Sequence, residues 1–268
     1  MRIAAIGGNG APPPEIQAIV STGFECTMVP GGFSTFTINQ AHQKMSELST
    51  MQAGLKAAAD GYDAVFIGTV GDYALHAMRS ALRIPVVGAG EAAMHAALTL
   101  GRKFSIVTIW PPTMLFLYRD LLRLYAMEPH CTSIRCVTDD EEIPDLKNDT
   151  NFYTEMRRGE PTQEDRIVRA CERAMNEDSA DVIVLGCTCM SPIAAKIATR
   201  VEIPVLNPMT VGYKYTEMLL ALRQCHSVRA YPTVPVSIAD RVDAAAAAIN
   251  GLDQNEMRKR VAARIAAE

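Results

Sequence analysis

The sequence predicts an α/β protein with a mostly parallel, doubly wound sheet architecture, and three observations carry the prediction. Short Val/Ile-rich runs alternate with helix-period segments from the first residues to about residue 222. Most of those runs stop at Gly, Pro or Thr. The whole rhythm is also doubled, because DAVFIG at 63–68 and DVIVLG at 181–186 each follow a helical segment. Each is followed about 16 residues later by a strand that opens Ile-Pro-Val. A continuous apolar run bounded by Gly reads as a strand buried on both faces. Alternation of such runs with helices is the βαβ pattern of a parallel sheet. The repeat suggests that Asp63–Gly88 and Asp181–Asn207 are two copies of one unit.

In chain order, the strand candidates are Ile3–Ile6, Cys26–Val29, Ala64–Ile67, Pro85–Val87, Phe104–Val107, Ser133–Val137, Val182–Leu185 and Pro204–Leu206. Helix-period segments between them cover Asn39–Ala59, Tyr73–Leu82, Glu91–Leu100, Met114–Tyr125, Gln163–Asn176 and Val211–Leu222. The stretch 139–160 is acidic and turn-rich, and reads as an exposed loop or lid. Beyond Cys225 the pattern changes to an irregular stretch, an Ala-rich helix at Ser237–Asn250 and an Arg-rich helix at Gln254–Ala267. No Gly/Ser-rich or Pro-rich linker divides the chain, so the two halves are expected to be closely joined.

Composition narrows the functional classes. The 268 residues are 49% hydrophobic and 21% charged, ordinary values for a globular chain. A net charge of −4 without a long Lys/Arg cluster argues against a nucleic-acid partner. The opening MRIAAIGGNG has an apolar run too short for a signal h-region or a membrane span, so a soluble cytoplasmic protein is expected. Seven scattered cysteines form no disulfide framework, and reduced thiols are the default in that compartment.

The chemistry concentrates at 181–193, DVIVLGCTCMSPI. A buried strand ends in Gly186, and Cys187, Thr188 and Cys189 form the turn into a helix that tolerates Pro192 only near its start. The Cys187 thiol therefore stands at the carboxyl end of a strand, where open α/β sheets bind ligands. Backbone N–H groups of a helix start attract anions and lower a thiol's pKa. The competing reading is a small buried cysteine with no chemistry. The repeat places Thr69, in FIGTVGD, opposite Cys187 across one cleft. The CTC spacing lacks the second ligand pair that structural zinc needs, so no metal is expected. Asp72 reads as a helix cap, Thr210 as the cap of the Val211 helix, and Glu91 with His95 as a surface pair one turn apart. For Trp110 ordinary packing is the favoured role over a place in the cleft wall.

FIGTVGDYAL (66–75), IPVVGAGEAAMHAALTLGRKFSIVT (84–108) and VIVLGCTCM (182–190) resemble the hydantoin racemase group of the aspartate/glutamate racemase superfamily. IGGNG (6–10) and PVLNPMTVG (204–212) extend the resemblance, which runs in order over roughly residues 1–222. It implies two pseudo-symmetric flavodoxin-like lobes, no cofactor, no metal, and a small carboxylate or cyclic-amide substrate between the lobes. The lobes would be residues 1–98 plus 207–225, and 99–206. A helical C-terminal extension, 226–268, would cover an edge or a subunit contact in a homo-oligomer.

Racemases of this superfamily place one cysteine on each side of the substrate carbon, one thiolate removing a proton and one thiol returning it. Carried over by position, Cys187 is the second cysteine, and Thr69 (or, shifted by one, Gly68) stands where the first should be. An alcohol without a paired base cannot exchange protons as a thiol does. The resemblance also extends to single-thiol relatives. Arylmalonate decarboxylase has a glycine followed by a carboxylate-binding threonine at this point, as in Gly68-Thr69. Maleate isomerase, a further relative that normally keeps both thiols, adds a cysteine nucleophile to a double bond. The readings that follow are a hydantoin-type racemase or isomerase with Cys187 as acid/base, a one-thiol decarboxylase, a cis–trans isomerase of a maleate-like diacid, and a non-catalytic binder of small acids. Substrate oxygens would meet Asn9, Gly68, Val70, Gly71, Thr108, Thr188 and Cys189. Asn9 is as readily a turn residue, and Thr108 as readily an ordinary strand end. Cys189 stands where amino-acid racemases often show histidine, which agrees better with hydantoin-type substrates.

Overall fold

The computed structural model describes residues 1–142, 151–160, 163–232 and 238–251. Two four-stranded sheets organise it. In the first, β1 (Arg2–Ile6), β2 (Glu25–Val29), β3 (Ala64–Ile67) and β4 (Val86–Gly88) lie in the order β2-β1-β3-β4. In the second, β5 (Phe104–Thr108), β6 (Cys131–Cys136), β7 (Val182–Leu185) and β8 (Val205–Leu206) repeat it as β6-β5-β7-β8. All pairings within both sheets are parallel. Each strand falls where the apolar runs predicted, and the two identical orders are the internal repeat made visible.

The helices follow from the same pattern. They are α1 (Pro14–Gln17), α2 (Gln40–Ala59), α3 (Leu75–Ala81), α4 (Ala89–Leu100), α5 (Leu115–Leu124), α6 (Phe152–Arg157), α7 (Glu164–Asn176), α8 (Ala194–Ala198), α9 (Pro208–Ala221) and α10 (Ala239–Asn250). Asn39 caps α2 by accepting the His42 N–H, which explains why the 20-residue helix starts there. Asn207, not Thr210, caps α9: its side chain accepts the Met209 N–H while Thr210 bonds back to the Asn207 carbonyl.

Both sheets bury both faces. In the first lobe, Ala4, Ile6, Val65, Ile67 and Val86 pack with residues of α2 and α3 on one side. Ile3, Ala5, Ala64 and Phe66 meet Ile16 of α1 and Met209 and Tyr213 of α9 on the other. Thus α9, though last in the two-lobe region, covers the first sheet. The second lobe has one large cluster around Phe104, Ile106, Val182, Val184 and Leu185. Each such Val, Ile, Leu or Phe contributes about 1.5–3 kcal/mol relative to an exposed side chain. The Ala-rich helix α10 packs along α2 through Val242 and Ala246, and Asn250 bonds the Gly32 carbonyl. The expected helix at 254–267 lies outside the described residues, as does 143–150 of the expected lid. The described remainder of that lid is not all loop. Residues 152–157 form α6, whose fully buried Met156 packs the helix over the 188–193 turn. Among the described residues no helix is long and apolar enough to cross a membrane.

Candidate active site between the lobes

Two glycines shape the turns that face each other. A Cβ on Gly68 would stand 2.9 Å from the Ile6 carbonyl oxygen, and one on Gly186 would stand 2.5 Å from Thr108 Cβ. Only glycine lets β3 and β7 bend away beside their neighbours, which explains the shared Gly-Thr and Gly-Cys turns. The turns then touch across the lobes, with Thr188 Oγ1 donating to the Gly68 carbonyl at 2.8 Å.

A cavity of about 730 Å³ opens between them, within the usual range for small-ligand sites. Asn9, Gly68, Thr69, Val70, Gly71, Cys187, Thr188 and Cys189 all line it. Thr69 Oγ1 is buried and has no hydrogen-bond partner among the described residues. The N–H groups of Thr69, Val70 and Gly71 have no acceptor among the described residues. Cys187 Sγ accepts the Cys189 N–H at 3.2 Å. A 3₁₀ turn, Thr188–Ile193, separates Cys187 from α8, so the thiol faces the start of that turn and not of a regular α-helix.

Thr108 is elsewhere. It is fully buried behind the wall, where its hydroxyl bonds Tyr118 at 2.6 Å, and Tyr118 in turn donates to the Gly186 carbonyl at 2.8 Å. The reason is the strand pleat: Thr108 points to the sheet's helix-covered side, beneath the Gly186 turn. It supports the turn that carries Cys187 and does not line the cavity.

The expectation of reduced thiols throughout is also corrected. Cys187 and Cys189 are joined as a disulfide with their Cα atoms 5.2 Å apart, while Cys26, Cys131, Cys136, Cys171 and Cys225 are free. The cause is local. The turn brings residues two apart onto one side, within the Cα separation that a disulfide spans. Burial pushes the free thiols of Cys26 and Cys171 up to about 12 and those of Cys131 and Cys136 up to about 11, and none of these four lines the cavity.

Sequence reasoning missed most of the wall. Phe36 of the first lobe meets Trp110 and Tyr153 of the second, with ring centroids 5.3 and 5.8 Å apart. Trp110 therefore lines the cavity in addition to packing. Arg157 of α6 lines it too, and its guanidinium lies over the Tyr153 ring. Aromatic residues inside a polar, turn-rich stretch, NFYTEMR at 151–157, were the available signal. No histidine lines the cavity, and burial pushes the Tyr73 phenol up to about 12 and Tyr118 higher still. Those phenols stay protonated near neutrality, and the other titratable side chains that line the cavity are Glu15, Tyr153, Arg157, Cys187 and Cys189.

Two matching turns on two parallel sheets, facing one cavity, define a two-lobed α/β protein of the racemase type. The chain belongs to the Asp/Glu/hydantoin racemase family, whose model matches residues 21–216. A hydantoin racemase of Rhizobium meliloti is 30% identical over 206 residues, 75% of this chain and 80% of that protein. The structure of an allantoin racemase from Pseudomonas fluorescens superposes with a TM-score of 0.75 at 26% identity, covering 88% of this chain and 98% of the other. Arylmalonate decarboxylase shares the fold at 17% identity, with a TM-score of 0.55 over 82% of this chain and 92% of the other.

Proposed function

We propose that the protein is a cofactor-independent enzyme that moves a proton at the carbon alpha to a carbonyl of a small hydantoin-like or carboxylate substrate, with Cys187 as acid/base. One observation carries the reading. The Cys187 turn and the Thr69 turn line the same cavity, and the Thr69 hydroxyl is buried there without a partner among the described residues. A buried hydroxyl left unpaired costs free energy unless something else pairs it, and a substrate oxygen does so.

The chemistry balances with these groups. The Cys187 thiolate takes the alpha proton and becomes a thiol, and the electron pair of the broken C–H bond moves onto the carbonyl as an enolate. The Thr69 O–H and the unpaired N–H groups of residues 69–71 donate to the enolate oxygen, where the charge develops. Return of the proton completes the turnover. This requires the Cys187–Cys189 disulfide to be reduced to two thiols, so the dithiol is the working form. Cys189 lies on the same wall as Cys187 and does not supply a thiol on the opposite face.

That one-sided arrangement favours a second reading. With Thr69 in place of a thiol and no base hydrogen-bonded to its hydroxyl among the described residues, proton delivery from one face only suits a decarboxylase, in which loss of CO₂ forms the enediolate and Cys187 protonates it. Proton NMR of the reduced enzyme in D₂O with 5-substituted hydantoins, amino acids and arylmalonates separates the two. Deuterium at the alpha carbon with loss of optical activity supports racemisation. Deuterium in one enantiomer together with CO₂ supports the decarboxylase. Cys187→Ser is expected to abolish either activity, and full turnover in that variant sinks the site assignment.

A further inference from the structure

Three residues after Thr69, Asp72 adopts a left-handed backbone conformation, φ 44°, that side chains other than glycine seldom take. Its N–H closes the turn by donating to the Thr69 carbonyl at 3.2 Å. Its carboxylate is buried and accepts three hydrogen bonds, from the Gly90 N–H at 2.9 Å, the Glu91 N–H at 2.6 Å and the Tyr125 hydroxyl at 2.8 Å. Asp72 thus caps α4 and not α3, the helix that follows it in sequence. The surroundings make room for it. A Cβ on Gly88 would stand 2.3 Å from Asp72 Oδ1, and one on Gly90 2.9 Å from Oδ2.

Both partners lead to the second lobe. Helix α4 packs on α9 and β4 in the first lobe and on β7 in the second, and β7 runs directly into the Cys187 turn. Tyr125 follows α5 of the second lobe, and it packs against the buried clusters of both lobes. Burial pushes the Asp72 carboxyl up to about 7, so the protein maintains this group against a desolvation cost. The titratable groups around it are Tyr125, the neighbouring buried Tyr73, Glu91, whose carboxylate turns away to pair with Arg79, and His76, whose ring meets that of Tyr125 at 6.1 Å.

We infer that Asp72 is a positioning residue: through the start of α4 and the Tyr125 hydroxyl it sets the spacing between the Thr69 turn and the Cys187 turn. The inference rests on those two turns being the two faces of the reaction site. Tyr125→Phe keeps the ring in its apolar seat and deletes only the hydroxyl, and thermal unfolding confirms that it folds. In the reduced full-length protein, the rate of Cys187 alkylation by iodoacetamide, read by mass spectrometry of its peptide, reports how closed the cleft is. Tyr125→Phe is expected to raise that rate at least fivefold. With a hydantoin that the wild type turns over, it is expected to lower kcat about tenfold while KM stays within twofold. The double variant with Asp72→Asn is expected to alkylate no faster than Asp72→Asn alone, because Tyr125 acts through Asp72. A folded Tyr125→Phe protein whose Cys187 alkylates at the wild-type rate overturns the inference. A wild type with no turnover on any substrate overturns the functional reading instead, and the alkylation rate still decides this one.

Discussion

Thr69→Val separates stability from function at a single atom. The substitution keeps the shape of the side chain and replaces the buried, unpartnered hydroxyl by a methyl group. A buried polar group without a partner costs about 1–3 kcal/mol, so its removal is expected to stabilise the free protein by about 1 kcal/mol. For a chain of this size, that raises the melting temperature by roughly 2–4 °C. In the reaction the same hydroxyl donates to an oxygen that acquires negative charge, and a hydrogen bond to a charged group contributes about 1.5–3 kcal/mol. At about 1.4 kcal/mol per factor of ten, kcat/KM should fall roughly ten- to hundredfold. Thr69→Ser retains the donor and should keep most of the activity. The assays are thermal unfolding without substrate and alpha-proton exchange in D₂O. A Thr69→Val protein that is less stable and fully active would refute the argument, because the hydroxyl would then serve the fold and not the substrate.

Two further outcomes follow from the site. Protein prepared without reductant and unfolded should show five titratable thiols, with seven after reduction, and activity should appear only with the latter; seven thiols and full activity before reduction would exclude the disulfide as a state of this site. The Asp72 carboxyl, raised by burial to about 7 in the folded protein, should make stability depend on pH. A folded-state pKa above the unfolded value of about 3.9 means that the folded state binds the proton more tightly, so this contribution is fully present below about pH 4 and is lost as pH rises toward 7. Urea midpoints from pH 4 to 8 should show that decline in the wild type and a weaker one in Asp72→Asn, and identical slopes would contradict it.

Much of the fold was legible because it rests on local, repeated physics. Runs such as AVFI and VIVL are buried on both faces of a parallel sheet, so they are apolar throughout and stop at glycine where the chain turns. The candidate site was legible to the extent that it follows those runs. Gly68-Thr69 and Gly186-Cys187 could be found because the repeat aligns them, and both prove to line one cavity. What could not be read depends on contacts between distant segments. Asp72 caps a helix 18 residues on, Glu91 pairs with Arg79 and not with His95, and Phe36 meets Trp110 and Tyr153 from the opposite lobe. None of these pairs has a spacing that a helical or strand period would mark.

By itself, then, the sequence determined the alternation of strands and helices, the doubled order of the two sheets, and the presence of one cysteine turn and one threonine turn. These follow from hydrophobic periodicity and from the steric demand for glycine, which act over a few residues. The tertiary structure decided that the Thr69 hydroxyl is left without a partner, that Thr108 supports the site from behind, that Cys187 and Cys189 are bonded, and that Asp72 joins the two lobes. Each depends on how two sheets come together, and hydrogen-bond satisfaction across that junction is a property of the assembled volume that no local stretch of chain contains.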